Sequence, residues 1–188
     1  TGVVSVRTQY SGTQEVRSQN WFTRLATVLA YDKKNDLALL AFTETLPTHQ
    51  YEAAAFSKRP TRILEEVIAM GAGEGLAPFP TRGYVAAMGE SVSVWADLTL
   101  IMHTAPIVGG NSGGGLWTMD THCSCYQVVG MVNAMLTTTV STGVRPIVIG
   151  QVLVMSPPED LEVPVSTHGY AIPTKTLTAF LEKTGMTN

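Results

Sequence analysis

The residues best suited to chemistry lie in one stretch, Gly109-Gly110-Asn111-Ser112-Gly113-Gly114-Gly115-Leu116. A serine within a glycine run suits acyl transfer. The glycines let the backbone take positive φ and approach a substrate closely. Successive N–H groups can then point into one concavity that holds a developing oxyanion, with the Ser112 hydroxyl beside them. A serine is a weak nucleophile until a base takes its proton, and that base needs an acid to fix its tautomer. Asp36, an acid, stands at the head of the apolar run Leu37 to Phe42, which reads as a buried strand. Each feature has a plain alternative. For the serine it is a glycine-rich turn between strands. For Asp36 it is a strand-start acid closing the charged turn Asp32-Lys33-Lys34-Asn35.

The elements that must position these residues are strands. Valine, threonine, isoleucine and tyrosine are frequent, and glycine or proline interrupts them about every ten residues, the pattern of an all-β architecture. Strands are predicted over Val3–Gln9, Phe22–Tyr31, Asp36–Phe42, Glu65–Met70, Arg82–Met88, Leu98–Thr104, Tyr126–Met135, Val144–Met155 and Tyr170–Pro173. Ser11-Gly12-Thr13 signals a hairpin turn, and Ser156–Asp160 a surface loop. Leu177, Phe180 and Leu181 are spaced for one face of a closing helix, with Thr174 or Thr176 as its cap and Gly185 as its stop. Thr43 to Arg62 is looser and carries Pro47 and Pro60, so it reads as a linker between two lobes. Residues 1–60 then form one lobe with the linker, and residues 61–188 the other.

Composition excludes several classes. With 45% hydrophobic and 14% charged residues in 188, the chain can bury a sizeable core and is not disordered. A net charge of −3 without a basic block argues against nucleic acid. No apolar run approaches the ~20 residues of a membrane span, and no signal-peptide pattern is visible at the start. Gly71-Ala72-Gly73-Glu74-Gly75 is not a nucleotide loop, because Pro78 and Pro80 follow where a helix should. Cys123 and Cys125 are one residue apart. In a strand their side chains point to opposite faces, so reduced thiols on a hairpin turn are expected rather than a mutual disulfide. That gives no sign of an oxidising compartment. His122-Cys123-Ser124-Cys125 has no second ligand cluster, so no metal site is expected.

Two serine-hydrolase patterns contain a glycine-flanked serine. The nucleophile elbow of α/β-hydrolases needs a helix directly after the serine, with the acid and histidine later in the chain. Asp160 and His168 do come later, but Gly113 to Trp117 is a poor helix start and no βαβ alternation follows. The second pattern fits better. Gly110-Asn111-Ser112-Gly113-Gly114 resembles the nucleophile loop of trypsin-like (chymotrypsin-fold) serine proteases, particularly the HtrA or DegP-type branch. Ala26 to Leu40 is similar to that family's segment around the triad aspartate, and Ile68-Ala69-Met70-Gly71 to the opening strand of its second barrel. Gln127 to Ala134 resembles the strand beside the specificity pocket, and Gly169-Tyr170-Ala171-Ile172-Pro173 the strand leading into the C-terminal helix. The resemblance implies two six-stranded β-barrels with a cleft between them. It makes Ser112 the nucleophile and Asp36 the triad acid, with the N–H groups of Gly110 and Ser112 forming the oxyanion hole. It places Pro106 and His168 near the base of the specificity pocket and Asn133, Ala134 and Met135 along its edge. It implies a polypeptide substrate, no cofactor and, as in many relatives, a homo-oligomer.

One residue departs from the family. The trypsin-like order is His, Asp, Ser, yet His49, His103, His122 and His168 all follow Asp36. The family's histidine ends a strand shortly before a segment like Gly2 to Thr8. The first barrel is therefore expected to be incomplete in this sequence, the histidine-bearing N-terminal part being supplied by a fragment or further chain. The alternative is a pseudoprotease that keeps the fold for binding or assembly. His49, in the linker, and His103, before the Ser112 loop, are poor substitutes as base. No acid is placed to receive a basic side chain, so a small or medium apolar residue before the scissile bond is expected.

Overall fold

The structure, a computed structural model, describes residues 3–9, 21–45, 53–75, 78–90, 99–142, 145–149, 152–156 and 159–186. The described residues form eleven strands, one α-helix and a short 3-10 turn at Gly73–Gly75. β1 (Val3–Gln9), β2 (Trp21–Asp32) and β3 (Leu37–Phe42) make a three-stranded antiparallel sheet in that order. β4 (Glu66–Gly71), β5 (Phe79–Glu90), β6 (Leu100–His103), β7 (Gly115–Asp120), β8 (Cys125–Thr142) and β11 (Glu159–Pro173) close into a six-stranded barrel in the order β11-β6-β5-β4-β7-β8. β9 (Arg145–Ile149) and β10 (Val152–Ser156) form a separate two-stranded ribbon. The chain closes with α1 (Thr174–Lys183).

The strand pattern predicts the all-β architecture, and the closed six-stranded barrel and terminal helix agree with what the family resemblance implies. The barrel interior holds Val67, Ala69, Val85, Ile101, Leu116, Val129, Val132 and Ala171, contributed by all six of its strands. A second cluster joins the three-stranded sheet to the barrel and α1. Leu37 from β3 packs with Leu100, Tyr170 and Ile172 of the barrel wall and with Leu177 and Phe180 of α1, while Leu39 and Phe56 lie against it. Burying a side chain of this size is worth about 1.5–3 kcal/mol. The cluster therefore fixes β3, and Asp36 just before it, against the barrel.

Several local expectations change. Ser11-Gly12-Thr13 lies outside the described residues. The stretch from Thr43 to Arg62 is not a free linker throughout: Ser57 N–H donates to Val128 O at 2.8 Å, and Val128 N–H to Ala55 O at 2.9 Å. Glu159 and Asp160, read as loop, open β11 and pair with Thr142 and Ser141. α1 is capped at Pro173, with no side-chain capping bond, so neither Thr174 nor Thr176 does that work. Proline just before the first helical turn loses no N–H that the helix could use. Gly185 does stop the helix. At φ +76 it lets its N–H reach Glu182 O and the Met186 N–H reach Leu181 O, a Schellman closure.

The cysteine expectation is overturned: Cys123 and Cys125 are joined by a disulfide. The opposite-face argument fails because Cys123 is not in a strand. It sits in the turn Thr121–Ser124 between β7 and β8, where Ser124 takes φ +52. That left-handed step turns the chain so both Cβ atoms face one side, with Cα atoms 5.2 Å apart.

Candidate active site

The Ser112 loop links β6 to β7 and is held from three directions. Within it, Asn111 is buried, donates its N–H to Val108 O and accepts the Val108 N–H on Oδ1, each at 3.1 Å. Toward the β4–β5 turn, Glu74 N–H donates to Gly109 O at 2.7 Å. Toward β8, Gly113 N–H donates to Val132 O and Val132 N–H to Gly114 O, both at 2.8 Å. Gly110 has φ +97, and a Cβ there would stand 2.6 Å from Ala72 O, so only glycine fits. Among the described residues, neither the Gly110 nor the Ser112 N–H bonds to a backbone carbonyl. No helix follows Ser112: Gly115 opens β7. The α/β-hydrolase arrangement is thereby excluded, since it requires a helix at that point.

Asp36 and Ser112, far apart in sequence, converge on one residue. Ser112 Oγ donates to Asn133 O at 3.0 Å, and Asn133 Nδ2 donates to Asp36 Oδ2 at 2.8 Å. Asp36 is aimed by its turn. Asp32 Oδ1 accepts the N–H groups of Lys34 and Asn35, and Asp32 Oδ2 the Asn35 amide. Asp36 then takes φ +52, a conformation aspartate tolerates better than most residues. These bonds hold the Asp32 carboxyl below its ordinary range, the Asn35 side chain being the largest cause. Sequence reasoning gave Asn133 only a place on the pocket edge and missed its bond to Asp36. A polar side chain in the otherwise apolar Val128–Ala134 run was the available signal.

The remaining candidates gather where β6, β8 and β11 lie side by side. Ala134 pairs with Tyr170 and Met135 with Gly169, which pairs on its other side with His103. His168 precedes Gly169 and is half-buried. Pro106 is exposed two residues after Thr104, and its carbonyl accepts Thr81 Oγ1 at 2.6 Å. His103 is fully buried and packs on Gly169, where a Cβ would meet its Cε1 at 2.5 Å. Neither ring nitrogen has a hydrogen-bond partner. Burial pushes His103 down to about 4. The nearby Ala105 carbonyl, outside hydrogen-bonding geometry, favours the imidazolium slightly, and His168 opposes it. His122 lies on the β7–β8 turn, and His49 lies outside the described residues. The bonds that tie Ser112 and Asp36 together run through Asn133, not through an imidazole.

An apolar cavity of about 230 Å³ lies behind the loop, lined by Gly113 to Gly115 and by Leu37, Phe56, Met131, Leu177 and Phe180. Among the described residues no cluster of three or more His, Cys, Asp or Glu side chains could hold a metal, and no helix is long and apolar enough to cross a membrane.

Known proteins share this architecture. The Rv3671c protease in its inactive form is 18% identical with a TM-score of 0.59, over 89% of this chain and 70% of that one. The HtrA-type protease AlgW bound to a decapeptide is 21% identical with a TM-score of 0.62, over 87% of this chain and 41% of that one. AlgW with a tripeptide gives 22% and 0.61, over 88% and 44%. At these identities the likeness is one of fold, and the chain spans less than half the length of the AlgW chains. No curated protein matches the sequence. The profile of the trypsin-like peptidase domain, however, matches residues 5–131, which include Asp36, Ser112 and the strands β3 to β6 between them. On that match, the chain belongs to the trypsin-like peptidase domain family.

Proposed function

We propose that this chain carries the nucleophile and acid of a serine endopeptidase, which hydrolyses peptide bonds through an acyl-enzyme on Ser112. The observation that carries the reading is the line Asp36–Asn133–Ser112, which brings the two candidate residues to one place. Ser112 attacks the scissile carbonyl, and the N–H groups of Gly110 and Ser112 receive the oxyanion. Asp36 orients the base and steadies its imidazolium. A carbonyl such as that of Asn133 cannot take the hydroxyl proton, so the base is a histidine from outside this sequence, on an N-terminal segment or a further chain that completes the first barrel. Residues 1–60 and 61–188 are the two lobes, and Pro106, Asn133, Ala134, Met135 and His168 border the pocket for the residue before the scissile bond. A homo-oligomer is the assembly we infer from the family resemblance.

A second reading has its own observation. Ser112 rests on a carbonyl, which does not activate it. A pseudoprotease used for binding would look the same. Labelling with a fluorophosphonate probe, on protein purified from its source with intact-mass analysis of every co-purifying chain, separates the two. Labelling at Ser112, lost in Ser112→Ala, is the expected result. A folded chain that resists the probe with all its co-purifying partners present refutes the endopeptidase and leaves the binding role.

A further inference from the structure

The Cys123–Cys125 pair takes no part in the site described above. Its loop, Thr121–Ser124, is exposed, and Cys125 is half-buried at the start of β8. A disulfide spanning a single residue closes a very small loop, so it restricts the unfolded chain little. By loop-entropy reckoning its advantage is about a hundredfold below that of a hundred-residue loop. The hairpin does not depend on it either. Six antiparallel pairs, from Gly115–Met131 to Asp120–Cys125, hold β7 on β8. His122 N–H also donates to Asp120 Oδ1 at 2.8 Å, which keeps the turn closed whatever the state of the sulfurs. Gln127 Nε2 points at Cys123 Sγ from 3.9 Å, placed to donate to a thiolate there. A bond that adds little stability and opens to solvent is suited to exchange rather than to stapling.

We propose that Cys123–Cys125 is a reversible thiol–disulfide exchange site for a low-molecular-weight thiol of the glutathione class. A glutathione thiolate attacks the exposed Cys123 sulfur, the Cys123–Cys125 bond breaks, and Cys125 leaves as a thiolate that takes a proton from water. A second glutathione thiolate attacks the glutathione sulfur of the mixed disulfide. Glutathione disulfide departs, and Cys123 is left as a thiolate beside the Gln127 amide. Two glutathiones lose the two electrons that the protein disulfide gains. The site stands at the far end of β7 from Ser112, about 20 Å along the strand, so the exchange is separate from acyl transfer.

The test equilibrates the full chain in glutathione buffers of graded oxidised-to-reduced ratio. Free thiols are trapped by alkylation and counted by intact mass, while circular dichroism follows the sheet. The pair is expected to pass from disulfide to dithiol within the range of ratios that cells hold, with the sheet spectrum unchanged. In Cys125→Ser, incubation with glutathione disulfide should add one glutathionyl group at Cys123. Gln127→Leu should move the half-reduced ratio about threefold toward the disulfide. A pair that stays oxidised in excess reduced glutathione, or whose reduction unfolds the sheet, overturns the proposal. The wild-type alkylation decides the matter even if a variant fails to fold.

Discussion

His103 gives the prediction whose magnitude follows most directly from the structure. Its imidazole is fully buried in the barrel with both nitrogens unpartnered, and burial holds it at about 4 against 6.5 for a free histidine. The folded protein therefore resists protonating it, whereas the unfolded chain binds that proton readily. Stability is unaffected above the unfolded value, falls as pH drops through 6.5, and levels off below about 4. The full difference between those two values corresponds to about 3 kcal/mol. Between pH 7.5 and pH 5 the linkage removes about 2 kcal/mol. The comparison variant is His103→Leu, which puts an apolar side chain of similar bulk in its place and removes two buried polar atoms. It should be at least as stable as wild type at pH 7.5, because neither nitrogen loses a partner. Urea unfolding of both proteins at pH 7.5, 6.5, 5.5 and 5 isolates the effect. In that window, the variant should escape about 2 kcal/mol of the wild-type loss. Burial works to raise Glu65, but the bonds it accepts from the Arg59 side chain and the Arg62 N–H outweigh that and lower it, so it contributes mainly at pH values below this window. Parallel pH profiles for the two proteins would refute the argument and mean that the His103 nitrogens are solvated in the native state.

Three further outcomes are expected. Gly110→Ala puts a Cβ against Ala72 O at a φ of +97, so it should cost on the order of 1–3 kcal/mol in thermal unfolding and abolish probe labelling of Ser112; a labelled, fully stable variant would remove Gly110 from the oxyanion hole. Leu177→Ala should cost about 2–4 kcal/mol in chemical unfolding, because Leu177 joins α1 to Leu37 of β3 in one cluster; a loss below about 1 kcal/mol would show that the two lobes do not share that core. On the endopeptidase reading, peptides with alanine, valine or leucine before the scissile bond should be cleaved at least about tenfold faster than the lysine peptide, since an unpaired ammonium is costly in an uncharged pocket; a lysine preference in a competition assay would sink that expectation.

Much of the fold and part of the site can be read from residue type and order. Alternation and turn residues mark the strands, because a pleated backbone sends successive side chains to opposite faces whatever the partner strand. The glycines around Ser112 identify the loop because a positive φ at Gly110 leaves little choice of residue. Asp36 is marked by the likeness of Ala26 to Leu40 to the family's segment, since alone it reads equally as an acid closing a turn. These are local constraints, and a sequence states local constraints well.

Tertiary structure decided the rest. Asn133 reads as one polar residue in an apolar strand. It joins Asp36 to Ser112 only because closing the barrel brings β8 under the Ser112 loop while the Leu37–Phe180 cluster holds β3 nearby. His103 reads as a histidine near a pocket, and its burial depends on Gly169 leaving room for the ring on a strand that pairs with it. The Cys123–Cys125 bond was hidden by a one-residue question of whether Cys123 lies in strand or turn, which the β7–β8 register settled. Composition and spacing name the groups that could react. Which of them meet depends on long-range pairing and on which cavities other side chains fill, and neither is encoded within any short stretch of the chain.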